Sequence, residues 1–155
     1  PELGNNAQLG RILGLTVAAG EAGRFGDNGL GFLGQRTDGA AFGNAAALAG
    51  HVSAALGRQV VCVEAASAAG QPLRRIAWCS GGAQGYFEAA VAAGAQAFIT
   101  GEISEPQAHL AREMGVPFIA CGHHASERYG APAVASHVAT QLGLGHQFID
   151  IDNPA

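Results

Sequence analysis

Three short apolar runs, each followed at once by a glycine-containing loop and a helical stretch, constrain this chain more than any other feature. Arg75 to Cys79, Ala97 to Thr100 and Pro117 to Cys121 read as strands. Ser80-Gly81-Gly82 forms a turn after the first, and the spacing of apolar residues predicts helices over Gln84 to Ala93, Glu105 to Met114 and about His123 to Leu142. A last strand is expected at Gln147 to Ile151. Strands alternating with helices imply right-handed crossovers and helices laid over a sheet that is mostly parallel or mixed, an α/β fold with layered elements.

The first half is less regular. Asn5 or Asn6 is placed to cap a helix carrying Leu9, Ile12 and Leu13 on one face, which Gly14 ends. Leu15 to Ala18 and Gly29 to Leu33 read as strands, with Gly20 to Asn28 as an exposed loop between them. Phe42 to Leu56 is an Ala-rich helix stopped by Gly57, and Val60 to Val63, β-branched apart from Cys62, reads as a buried strand. The division is into a linking or middle region over about 1–72 and an α/β unit over about 73–155.

Composition excludes several classes. Hydrophobic residues make up 48% of the 155 and charged ones 13%, about half the usual quarter, so disorder is excluded by the apolar surface that must be buried. The chain has 33 Ala and 24 Gly, which suit thin, closely packed layers. With net charge -4, eight Arg, no Lys and no basic run beyond Arg74-Arg75, there is no footprint for a nucleic-acid backbone. No apolar stretch reaches membrane-spanning length without Gly or a charge, and Pro1 to Asn6 lacks the regions of a signal peptide. Cys62, Cys79 and Cys121 are odd in number, lack CxxC spacing and lie in or beside apolar runs, so they read as buried thiols in a reducing compartment, the cytoplasm. The opening on Pro without Met is read as the start of a piece of a longer protein.

In sheets of this kind chemistry gathers beyond the carboxyl ends of the strands. Cys79 to Gln84 offers glycines that let backbone amides approach an anion, or that simply make a tight turn. In Thr100-Gly101-Glu102-Ile103-Ser104, Glu102 is placed to hold a ligating imidazole or a water, or else stands in solvent beside a capping Ser104; His109 follows on the next helix. Gly122-His123-His124-Ala125-Ser126-Glu127-Arg128 is the most informative loop. His123 and Glu127 are four apart, so on a helix their side chains converge on one cation, and imidazole plus carboxylate suits Zn, Fe, Mn or Ni. His124 is a competing ligand, and the bland reading pairs Glu127 with Arg128 and leaves His123 at the helix start.

Ile76-Ala77-Trp78-Cys79-Ser80-Gly81-Gly82-Ala83-Gln84, Phe98-Ile99-Thr100-Gly101-Glu102 and the loop from Gly122 to Arg128, together with Phe148-Ile149-Asp150-Ile151-Asp152-Asn153-Pro154 and the opening Pro1-Glu2-Leu3-Gly4-Asn5-Asn6-Ala7-Gln8-Leu9, closely resemble the Nif3-like dinuclear metal-centre proteins, also called GTP cyclohydrolase 1 type 2 homologs. The resemblance runs the length of the chain and is weakest between about Gly20 and Gln71. It implies a two-lobed α/β protein holding two divalent metal ions between its lobes, assembled as a homo-oligomer, often a hexameric ring. His123 and Glu127 match the family's C-terminal metal ligands, whereas Glu102 and His109 match positions near the cleft that support the ligands. The family's ligand Asp and paired histidines belong to a region upstream of Pro1, so the chain is expected to carry part of the site. Hydrolysis of a nucleotide-like small molecule is the implied activity; the alternative is a non-enzymatic metal-binding or scaffold protein.

Overall fold

The computed structural model describes residues 2–151 and 153–155. In chain order the elements are α1 (Asn5–Ile12), β1 (Leu15–Val17), β2 (Arg24–Phe25), β3 (Gly31–Arg36), α2 (Ala45–Leu56), β4 (Val61–Val63), β5 (Ile76–Cys79), α3 (Phe87–Ala92), β6 (Ala97–Thr100), α4 (Glu105–Met114), β7 (Phe118–Ala120), α5 (His123–Glu127) and α6 (Gly130–Leu142). They form an α/β fold on a mixed seven-stranded sheet of order β1-β3-β5-β6-β7-β4, with β2 paired to β3. Among the described residues only β5, β6 and β7 run parallel, and every other strand pairing is antiparallel.

The alternation of side chains along the central strands explains the layering. Ile76 and Trp78, Ile99, and Ile119 point to one face, where Leu9 and Leu13 of the α1 region and Leu48, Val52 and Leu56 of α2 cover them. Ala77, Phe98 and Phe118 point to the other, against Phe87 of α3 and Ala111 of α4. Phe98 and Phe118 meet edge to face with centroids 5.4 Å apart, and Phe87 packs on Phe118 at 5.3 Å. Both faces of these strands are dry, which is why they read as continuous apolar runs.

Several expectations are corrected. Residues 20–28 are not a simple exposed loop: they hold two short 3-10 turns and β2, and Phe25 is buried against Phe98. Val61 to Val63 is an edge strand on β7, with Val61 54% exposed, so its β-branched residues reflect pairing rather than full burial. Cys62 is accordingly half-buried, whereas Cys79 and Cys121 are buried; all three are free thiols. The helix expected over His123 to Leu142 is broken after Glu127: Pro132 has no amide to give the carbonyl of Arg128, and α1 docks at the break, where the amide of Gly130 donates to Oδ1 of Asn5 at 3.0 Å and a Cβ on Gly130 would collide with Asn5. Residues 144–151 form no strand. Neither Asn caps α1: its N-cap is Gly4, and the two amide side chains reach across to other parts of the fold. Among the described residues no helix is long and apolar enough to cross a membrane.

Candidate metal centre

The loops after β5, β6 and β7 meet because parallel strands in register end on one edge, Cys79 opposite Thr100 and Thr100 opposite Ala120. Their glycines then allow close approach. The amide of Gly101 donates to the carbonyl of Gly81 at 3.0 Å, and that of Gly122 to the carbonyl of Gly101 at 2.8 Å. A Cβ on Gly101 would lie 2.8 Å from Cα of His123. Ser126, fully buried, ties the first loop to the third: its hydroxyl accepts from the amide of Gly81 at 2.9 Å and donates to the carbonyl of His123 at 2.9 Å. From the far side Asn6 holds the first loop, its Oδ1 accepting from the amide of Ser80 at 2.6 Å while its backbone carbonyl accepts from Nε1 of Trp78 at 2.8 Å.

At the centre of this knot is the imidazole of His123. Nδ1 lies 2.5 Å from Oε1 of Glu102, and Nε2 lies 3.2 Å from Oε2 of Glu127. Glu102 is itself held by Nε2 of Gln84 at 3.3 Å. The hydrogen bond to Glu102 raises the pKa of His123 above the ordinary imidazole value, and the same bond holds Glu102 below the usual carboxylate range. The side chains of His123, Glu102 and Glu127 are 42%, 43% and 38% exposed, so all three open to solvent.

The donor chemistry fits a divalent metal. A ligating histidine commonly gives its second nitrogen to a carboxylate, which fixes the tautomer and makes the free nitrogen more basic. Glu102 stands in that place, leaving Nε2 to face the Glu127 carboxylate. Gly81, at φ +68, keeps the space before both donors clear, since a Cβ there would lie 3.2 Å from Nε2 of His123 and 2.8 Å from Cδ of Glu127. Among the described residues no group of three or more His, Cys, Asp or Glu is gathered to hold an ion, so His123 and Glu127 make a pair of donors where catalytic metal sites usually take three from the protein.

Of the residues expected from the sequence, Glu102, His123 and Glu127 are brought together, and the turn at Gly81 and Gly82 lies against them. His109 is not: it is exposed on α4 and makes no hydrogen bond or ion pair among the described residues. His124 points away, to Asp150. Sequence reasoning missed Ser126, Gln84 and Asn6. A serine between His and Glu in a short helix, or a pair of asparagines at a helix start without an acidic residue, carries no spacing signal of its own.

The model of the Duf34/NIF3 (NGG1p interacting factor 3) family matches residues 1–154. The chain belongs to the Duf34/NIF3 family. It is 47% identical over 156 residues to a protein of Pseudomonas aeruginosa named GTP cyclohydrolase 1 type 2 homolog, and 44% identical over 155 residues to one of Allochromatium vinosum with the same name. Each match covers 100% of this chain and 58% of the relative, so the chain spans little more than half the length of these Duf34/NIF3 relatives. Among solved structures, protein ybgI, described as of unknown function, superposes with TM-score 0.86 at 40% identity, over 100% of this chain and 58% of that one. TTHA1606 from Thermus thermophilus shares the fold at TM-score 0.73 and 24% identity, over 99% and 57% respectively.

Proposed function

We propose that this Duf34/NIF3 chain supplies His123 and Glu127 as two ligands of a divalent-metal centre completed by residues outside it, and that the complete protein is a metal-dependent hydrolase of a nucleotide-like small molecule. The observation that carries the reading is the division of labour on one imidazole: Nδ1 is held by Glu102 while Nε2 faces Glu127 across a space that Gly81 keeps open. The names of the 40–48% identical relatives support the substrate class.

Divalent ions bound there, two by family resemblance and drawn from Zn, Fe, Mn or Ni, would supply Lewis acidity and activate water near neutral pH. The chain's own residues do the rest. Glu102 keeps the proton on Nδ1 and so presents the lone pair of Nε2, Gln84 steadies that carboxylate, and Ser126 locks the backbone of His123 to the Gly81 turn. The Gly81-Gly82 turn, lying against all three functional side chains, is where a substrate would be admitted.

Metal analysis of the intact protein tests this. Wild type is expected to bind divalent metal, with His123→Ala and Glu127→Ala losing it while staying folded, and any turnover found on a panel of nucleotides should vanish in His123→Ala. Either substitution unfolding the protein while metal per folded molecule stays normal would make the residue structural. A second reading, a non-enzymatic metal-binding or scaffold protein built as a ring-shaped homo-oligomer, is favoured by the apolar face of α6, where Val134, Val138 and Leu142 are exposed. Full metal loading with no turnover on the panel would select it.

A further inference from the structure

The metal-facing pair is only half of what α5 carries. One residue out of step with His123 and Glu127, His124 on the helix and Arg128, its C-cap, form a second pair four apart on the neighbouring side. Asp150 bridges them. Its Oδ1 lies 3.1 Å from Nε2 of His124, and its Oδ2 accepts from Nη1 of Arg128 at 3.0 Å. Arg128 is also tied behind, donating from Nη2 to the carbonyl of Leu56 at 2.9 Å. At the start of α5, Arg58 presses its guanidinium against Gly122 and donates to the carbonyls of Pro154 and Ala155 at 3.2 and 3.1 Å.

The segment around Asp150 is held by these polar ties and not by packing: its neighbours Ile149 and Ile151 are 71% and 73% exposed. The helix it grips needs outside support. Five residues are far below the length at which a helix holds itself in water, and α5 has no side-chain cap. Its rotation about its own axis, and with it the direction of His123 and Glu127, is therefore set by buried Ala125 and Ser126 beneath it and by what grips its two open faces: Glu102 on one and Asp150 on the other.

We propose that Asp150 is a positioning residue for the metal-ligating pair, fixing the rotation of α5 that aims His123 and Glu127 at one ion. The proposal rests on the reading of those two residues as ligands. A partly exposed bridge of this kind contributes little to overall stability. Groups hydrogen-bonded directly to metal ligands change affinity by about 10–100-fold, and Asp150, acting one residue further out through His124 and Arg128, is placed at the low end of that range. Asp150→Asn is thus expected to leave thermal stability nearly unchanged and to weaken zinc binding about tenfold.

The experiment is zinc affinity of the intact protein by competition with a chromogenic chelator, with visible spectra of the cobalt(II)-loaded form. Asp150→Asn should lower zinc affinity about tenfold and shift the cobalt bands, Asp150→Glu should recover much of both, and Arg128→Gln should give a similar loss to which Asp150→Asn adds little. Zinc affinity and cobalt spectrum of Asp150→Asn equal to wild type would overturn the proposal. So would a loss that follows only the folded fraction, with the spectrum per folded molecule unchanged. Wild type that binds no zinc, or binds it undiminished in His123→Ala, would instead remove the metal reading, and Asp150's role with it.

Discussion

Replacing Gly81 by alanine separates the two demands the site makes on that residue. Gly81 has φ +68, a left-handed conformation that disfavours any side chain by about 1–2 kcal/mol. The added methyl would also lie 2.8 Å from Cδ of Glu127, closer than real Cβ atoms approach such a group, and a tight 3.2 Å from Nε2 of His123, so the Glu127 carboxylate must swing aside. The exposed glutamate moves readily, so the backbone term dominates stability: a loss of about 1–2 kcal/mol, or roughly 2–8 °C in melting temperature for a domain of this size. Metal affinity bears the second demand and should fall at least about tenfold, because the carboxylate no longer faces the imidazole. Gly82→Ala is the internal control. Gly82 lacks a positive φ, and a Cβ there meets the nearest atom, Oε1 of Glu102, at 3.4 Å, an ordinary contact, so its stability should stay within about 0.5 kcal/mol of wild type. Urea denaturation and chelator competition on both variants read the two effects apart. Equal behaviour of Gly81→Ala and Gly82→Ala, or wild-type metal affinity in Gly81→Ala, would refute the reasoning.

Asn6→Ala strips the Ser80 amide of its acceptor and the Leu30 carbonyl of its donor, and should destabilise by about 1–3 kcal/mol in urea; a shift of the midpoint below the detection limit would show that water replaces the side chain freely. Titration of the native protein with a chromogenic disulfide reagent should modify Cys62 alone, with Cys79 and Cys121 reacting only on unfolding, because burial closes access to both; it raises all three thiols, so access and not acidity tells them apart. Rapid labelling of all three without denaturant would contradict this. Burial pushes the Cys121 thiol from an ordinary value near 9 up to about 12. The folded pKa being the higher, its contribution is complete below about pH 9 and is lost as pH rises toward 12, by about 1.4 kcal/mol per pH unit. Urea midpoints at pH 8 and pH 10.5 should therefore diverge more in wild type than in Cys121→Ala, where the raised thiols of Cys79 and Cys62 keep part of the decline; the same decline in both would assign the alkaline sensitivity elsewhere.

The parallel part of the sheet was legible because nothing about it depends on distant chain. Ile76 to Cys79, Ala97 to Thr100 and Phe118 to Ala120 are buried on both faces, and continuous burial writes itself as a continuous apolar run. The convergence of Glu102, His123 and Glu127 follows from the same register, since one strand end sets the next. What the sequence hid were arrangements decided by a partner far along the chain. Gly130 and Pro132 mark the break at Arg128-Tyr129 locally, but nothing near them shows that Asn5, far along the chain, takes the amide of Gly130. Val61 to Val63 has the residues of an inner strand but lies at an edge, a difference that composition cannot carry. Phe148 to Asp150 has strand-like alternation and pairs with no strand among the described residues; its carboxylate, not its backbone, makes the contacts.

The asparagines at the start of α1 have a consequence in time as well as in space. Asn6 reaches Ser80 across 74 positions and Trp78 across 72, and Asn5 reaches Gly130 across 125, whereas β5, β6 and β7 with their helices are built from neighbouring stretches. Contacts that close long loops are slow to form. The strands that carry the site are therefore expected to assemble first, and the first helix to arrive afterwards as a bolt that immobilises the Ser80 turn and the break before α6. Pulse-labelled hydrogen exchange during refolding should find the amides of Phe98 and Ile99 protected early and that of Ser80 protected in the last phase, so that metal uptake lags behind formation of the sheet.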